Sequence, residues 1–101
     1  MKYVVSRHAG ALQWCRLQGI NADKAVAHLD PGTICPGDMV IGTLPLPLAA
    51  QVQANGGRYV HLTLPLPADL RGQELTAEQM IALGATLQEF CVTPVCHKAP
   101  S

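Results

Sequence analysis

Four short runs rich in branched apolar residues constrain this chain most, because each breaks off abruptly into polar residues or a proline. They are Lys2–Ser6, Lys24–Leu29 (KAVAHL), Met39–Gly42 and Arg58–Leu64 (RYVHLTL). Segments of this length are too short for helices and read as strands. Between them the apolar period changes. From about Ala9 to Gln18, Leu12, Cys15 and Arg16 fall at helical spacing beside Trp14 and Leu17, and Gly19 is a natural stop. A second helix is predicted from Pro45 or Pro47 to Ala54, closed by Asn55-Gly56-Gly57; proline suits a first helical turn, where its missing N–H has no partner anyway. A third is predicted from Thr76, where Thr-Ala-Glu-Gln resembles a capping box, to about Phe90, with Gly84 weakening its middle. Cys91–Val95 would then be a last edge strand, with a frayed end from His97.

The resulting order, β-α-β-β-α-β-α-β, predicts a single α/β domain with a mostly parallel, Rossmann-like sheet flanked by helices. Asp30-Pro31-Gly32 and Cys35-Pro36-Gly37-Asp38 bracket a connection with no room for a full helix, so strand order stays open. The length of 101 residues suits one domain. With 49% hydrophobic and 14% charged residues, a packed core is expected, built mainly of Val, Leu, Ile and Ala because only 4% of the chain is aromatic.

Charge narrows the partners. Seven basic side chains balance seven acidic ones, so there is no broad basic face to displace counterions from duplex nucleic acid. A compact phosphate-bearing ligand needs only a local set of donors. The apolar start is too short for a signal peptide, and no stretch approaches the ~20 apolar residues of a membrane helix. No membrane partner and a cytoplasmic location are the expectations. Cys15, Cys35, Cys91 and Cys96 form no CxxC pair, so reduced thiols and no metal or other cofactor are expected.

Ligands of open parallel sheets bind beyond the carboxyl ends of the strands. Ser6-Arg7-His8-Ala9-Gly10 puts a hydroxyl, a guanidinium and an imidazole at a helix entrance, which suits an anion cradle. Equally, Ser6 could cap the helix with Arg7 and His8 solvated. The segment is neither a dinucleotide fingerprint nor a Walker loop. In Gly42-Thr43-Leu44-Pro45, Thr43 reads as an N-cap, or Gly42 reads as a place where a phosphate meets bare backbone. His28 and His61 lie in apolar runs, Asp30 is a turn former, and Arg71-Gly72 sits in a long loop, where ligand contacts concentrate. Glu74, Glu78 and Glu89 read as a solvated helix face, and Trp14 as core. Taken alone, these residues support an α/β domain that binds an anionic ligand.

Several segments in order carry a family resemblance. They are Ser6-Arg7-His8-Ala9-Gly10-Ala11 with Trp14, Ala27-His28-Leu29-Asp30-Pro31, Pro36-Gly37-Asp38 running into Val40-Ile41-Gly42-Thr43-Leu44-Pro45, Arg58-Tyr59-Val60-His61-Leu62, Leu70-Arg71-Gly72 and Glu74-Leu75-Thr76. Over Lys2 to about Phe90 the chain resembles the small CRISPR-associated Csx sixteen family, the VVA-type ancillary proteins of type III systems. The resemblance implies a CARF-like Rossmann fold, a homodimer, and a ring nuclease that degrades cyclic oligoadenylate, above all cyclic tetra-adenylate, and so switches off antiviral signalling. It implies metal-independent attack by a ribose 2′-hydroxyl on its own phosphodiester. Under it, Arg7 would hold the scissile phosphate and His8 would be the general acid or base. Ser6, Gly10, Gly42 and Thr43 would bind phosphate or ribose, with His61 and Arg71 as further ligand contacts.

Overall fold

The computed structural model describes residues 1–6, 9–70, 72–73 and 75–95. Five strands, β1 (Lys2–Val5), β2 (Lys24–Val26), β3 (Met39–Gly42), β4 (Arg58–Thr63) and β5 (Thr86–Phe90), form one sheet in the order β2-β1-β3-β4-β5. The first four are parallel and β5 runs antiparallel to β4. Three helices cover it: α1 (Ala9–Leu17), α2 (Leu46–Ala54) and α3 (Ala77–Leu83). The connection between β2 and β3 holds only a 3-10 turn, Pro31–Thr33, tied by Asp30 Oδ1 accepting from the Gly32 N–H at 2.9 Å. The architecture is thus the expected α/β sandwich, and the strand order follows from where that short crossover lands.

Alternation along each strand sorts the core into two layers. Val4, Ile41, Val60 and Leu62 point to the side of α1 and α3, where they pack with Ala11, Trp14, Cys15, Leu75, Ala77 and Met80. Tyr3, Val5, Val40 and Tyr59 face the other way, against Ile34 and the α2 residues Ala49 and Val52. Full burial of one such side chain is worth roughly 1.5–3 kcal/mol, so these two clusters carry the fold. Trp14 is core, as its place in the helix suggested.

All three helices stop by one device. A glycine with positive φ follows each, Gly19 at 86°, Gly56 at 87° and Gly84 at 81°. The residue after it donates back across the last turn, Ile20 to Cys15 O at 2.9 Å, Gly57 to Val52 O at 3.0 Å and Ala85 to Met80 O at 3.1 Å. This closure satisfies carbonyls that would otherwise lack partners, and only glycine takes the left-handed turn without penalty. The third case corrects the expected helix to Phe90. Gly84 ends α3 instead of weakening it, and the chain returns as β5 at 86–90, so the edge strand is not Cys91–Val95. The start of α3 is as expected, with Thr76 and Gln79 exchanging the two bonds of a capping box. β2 is also shorter than KAVAHL; it ends at Val26, which pairs with Val5, the last residue of β1.

Candidate functional site

In the order β2-β1-β3-β4, the chain leaves β1 toward one edge of the sheet and leaves β3 toward the other. Loops part at that reversal and open a crevice beyond the strand ends. A cleft of about 780 Å³ lies there, within the range of small-ligand sites. Val5 and Ser6 line it from the end of β1, His28 and Leu29 from beyond β2, Thr43 to Pro45 from beyond β3, and His61 to Leu64 from β4. A second groove of about 550 Å³, between α2 and residues 92–94, is lined by Leu46, Pro47, Ala50, Gln51, Ala54, Val92, Thr93 and Pro94 and so has no ionisable wall. The first is the candidate site.

The structure therefore brings together Ser6, Thr43 and His61 of the predicted residues, and adds His28, which stands exposed beyond β2 instead of within it. Arg7, His8 and Arg71 lie outside the described residues. Gly10 has a packing reason. A Cβ there would come within 2.5 Å of Leu75 O and Ala77 N, and its N–H donates to Leu75 O at 3.2 Å. Gly42 likewise lets β3 lie against β1, since a Cβ would meet Val5 O at 2.5 Å.

The entrance to α2 is poor in donors. Pro45 and Pro47 have no N–H, no side chain caps the helix, and the Leu44 N–H donates to Tyr59 Oη at 2.9 Å. Thr43 is not the N-cap; its hydroxyl donates to Leu62 O at 2.5 Å, so the oxygen offers lone pairs that suit a ribose hydroxyl better than a phosphate. Among the described residues lining the cleft, only His28 and His61 can carry positive charge. Among the described residues, an anion here would rely on those imidazoles.

His61 is the best-held polar group of the cleft. Its Nδ1 lies 2.5 Å from Tyr59 Oη, and its ring meets Tyr59 and Phe90 edge to face at 5.7 and 5.8 Å. Tyr59 is 2% exposed, and its hydroxyl also reaches Gly42 O at 3.1 Å. Burial pushes the phenol up from its ordinary range, and the Leu44 N–H partly opposes the shift. Tyr59 and Phe90 are not among the site residues expected from the sequence. The i, i+2 spacing of Tyr59 and His61 could have revealed the first; Phe90 was assigned to a helix.

Fold and cleft together define an α/β domain of Rossmann-like sheet order with a ligand-sized crevice at its topological switch point. The sequence model of the family described as "Putative CRISPR-associated protein (Cas_VVA1548)" matches residues 3–93, and the chain belongs to that CRISPR-associated family. No curated protein and no solved structure matches it. No helix among the described residues is long and apolar enough to cross a membrane.

Proposed function

We propose that this protein is a CARF-like ring nuclease that binds cyclic oligoadenylate and cuts it without a metal, ending a CRISPR signal. The observation that carries the reading is the cleft at the switch point, where Ser6, His28, Thr43 and His61 converge in a member of a CRISPR-associated family. In the reaction, a ribose 2′-hydroxyl attacks the adjacent phosphorus in line and leaves a 2′,3′-cyclic phosphate. The substrate supplies its own nucleophile, so the protein's work is orientation, proton transfer and neutralisation of the phosphorane. Arg7, next in sequence to Ser6, is assigned to the phosphate, and His8 to acid–base chemistry. Ser6 would contact ribose or phosphate, Thr43 would accept from a ribose hydroxyl, and Arg71 is a further candidate contact. Two copies related by a two-fold axis would present the cleft twice to a ring of matching symmetry.

Cyclic tetra-adenylate incubated with excess protein in EDTA, with products resolved by chromatography, tests this reading. Linear products ending in 2′,3′-cyclic phosphate are expected, and Arg7→Ala should slow their appearance more than about tenfold. A ring left intact by excess wild-type protein but bound tightly would replace the nuclease with a sequestering module. Failure of every cyclic oligoadenylate to raise the melting temperature would remove the ligand class altogether.

A further inference from the structure

Three groups meet one buried hydroxyl, and where its single proton goes decides which nitrogen of His61 is free. Tyr59 Oη has a single proton and two lone pairs. The Leu44 N–H, 2.9 Å away, can only donate to it, and Gly42 O, 3.1 Å away, can only accept from it. The hydroxyl proton can go to Gly42 O or, in the opposite tautomer, to a bare His61 Nδ1 at 2.5 Å; given to Gly42 O, it leaves Nδ1 to carry a hydrogen and donate to the phenol oxygen. Neutral His61 then bears its lone pair on Nε2, which has no hydrogen-bond partner among the described residues, on a ring that lines the cleft. Phe90 on β5 braces the ring edge to face, and the register Tyr59↔Phe90 sets that contact. A nucleophile's base needs a third group that fixes its tautomer and aim. Tyr59 is placed as that group.

We propose that His61 is the general base of the cleft and that Tyr59 is its positioning residue. This rests on the nuclease reading and extends it. In the step, the ribose 2′-O–H proton passes to His61 Nε2 as the 2′-oxygen bonds to phosphorus. The P–O5′ bond breaks with its electron pair on O5′, which takes a proton from His8 as general acid, and the proton held on His61 returns to His8 through water. The base returns to its neutral form and the phosphodiester monoanion becomes a cyclic phosphate monoanion, with no proton gained or lost overall.

Nitrogen-15 NMR of the histidine rings in the free protein, near the alkaline end of histidine titration, reads the tautomer directly. Wild type should show His61 protonated on Nδ1, and Tyr59→Phe should move it toward the Nε2–H form. In single-turnover assays with cyclic tetra-adenylate, Tyr59→Phe should lower the rate about tenfold and His61→Asn at least about a hundredfold. Tyr59→Phe should leave ring affinity within about threefold, whereas His61→Asn, which removes one of the two described imidazoles of the cleft, should also weaken binding. Asn is chosen because its amide can still donate to Tyr59 while lacking anything at Nε2, so the variant remains informative should Tyr59→Phe fold poorly. A wild-type His61 carrying its proton on Nε2 overturns the proposal and leaves the nuclease reading to its own assay. The Nδ1–H form in a protein that cuts no ring overturns the nuclease reading and with it the base. Cleavage at the wild-type rate by His61→Asn overturns the base alone.

Discussion

The two faces of β4 show how one strand serves two purposes. Val60 and Leu62 project into the layer under α1 and α3, packed against apolar side chains such as Trp14 and Met80. Tyr59 and His61, one residue out of phase, carry a chain of hydrogen bonds through Gly42 and Leu44 toward the cleft. The first face works by close packing and tolerates no void. The second works by directional contacts, in which one hydroxyl sets the hydrogen-bonding state of its neighbours. Stability and site geometry are therefore separable, and substitutions can break one while sparing the other.

The largest effect is expected on the packed face. Trp14 is 2% exposed, and Trp14→Ala should cost about 3–5 kcal/mol, measured by chemical denaturation. The folded fraction should nevertheless keep the wild-type tautomer of His61, because Trp14 packs in the opposite layer of the sheet from Tyr59. A changed His61 spectrum in folded Trp14→Ala would show that the two faces are coupled.

Next in size is Tyr59→Phe, which keeps the ring and leaves the buried Leu44 N–H without its acceptor, at about 1–3 kcal/mol. Its signature lies in the pH dependence. Burial raises the folded-state pKa of the phenol above the unfolded value, so the folded state retains the proton longer. The stability this represents is complete below the unfolded pKa of about 10 and is lost as pH rises from there through the folded value. Denaturation midpoints followed from pH 8 to pH 11.5 should fall more steeply for wild type than for Tyr59→Phe. Equal slopes would mean that the hydroxyl is not held as described.

Most of the fold was legible because its punctuation is local. Gly19, Asn55-Gly56-Gly57 and the Thr76–Gln79 box act within one turn of chain, and each ended or began a helix where expected. The misreadings are non-local. Gly84 is itself a local stop of the same kind as Gly19 and Gly56, but that residues 86–90 then form a strand is decided by pairing with residues 59–63. The KAVAHL run keeps its apolar character to Leu29, yet the strand ends at Val26 because its partner β1 ends at Val5. The site divides in the same way. Ser6, Thr43 and His61 could be nominated because strand ends converge in any parallel sheet. The i, i+2 spacing puts Tyr59 beside His61 on one strand face, but its partners at 42 and 44 reach it only once β3 and β4 are in register. Gly10 and Gly42 looked like ligand positions for the same chemical reason that makes them packing positions: a bare Cα admits any close neighbour, and here the neighbour is backbone.

The smallest effect is expected at the opposite end of β4, where Arg58 makes a bidentate pair with Glu89 on β5, at 2.7 and 3.0 Å, with both side chains about half exposed. Glu89 does not lie on the solvated helix face that its sequence neighbourhood suggests; the strand places it across from Val60 and within reach of Arg58. The geometry is as good as that of the Tyr59 network, yet water competes for every one of its bonds, and exposed pairs of this kind contribute little. The hydrogen bond from Arg58 and its charge hold the Glu89 carboxyl below its ordinary value. A depressed carboxylate contributes stability that is present above the unfolded pKa of about 4.3 and is lost as pH falls through the folded value. Glu89→Gln should therefore leave the denaturation midpoint at pH 7 nearly unchanged, in high or low salt, and differ from wild type only by a slightly shallower decline below pH 4.5. A loss at pH 7 comparable to that of Tyr59→Phe would mean that surface charge, and not the buried hydroxyl, locks β4 to its neighbours, and the contrast between the strand's buried and exposed bonds would fail.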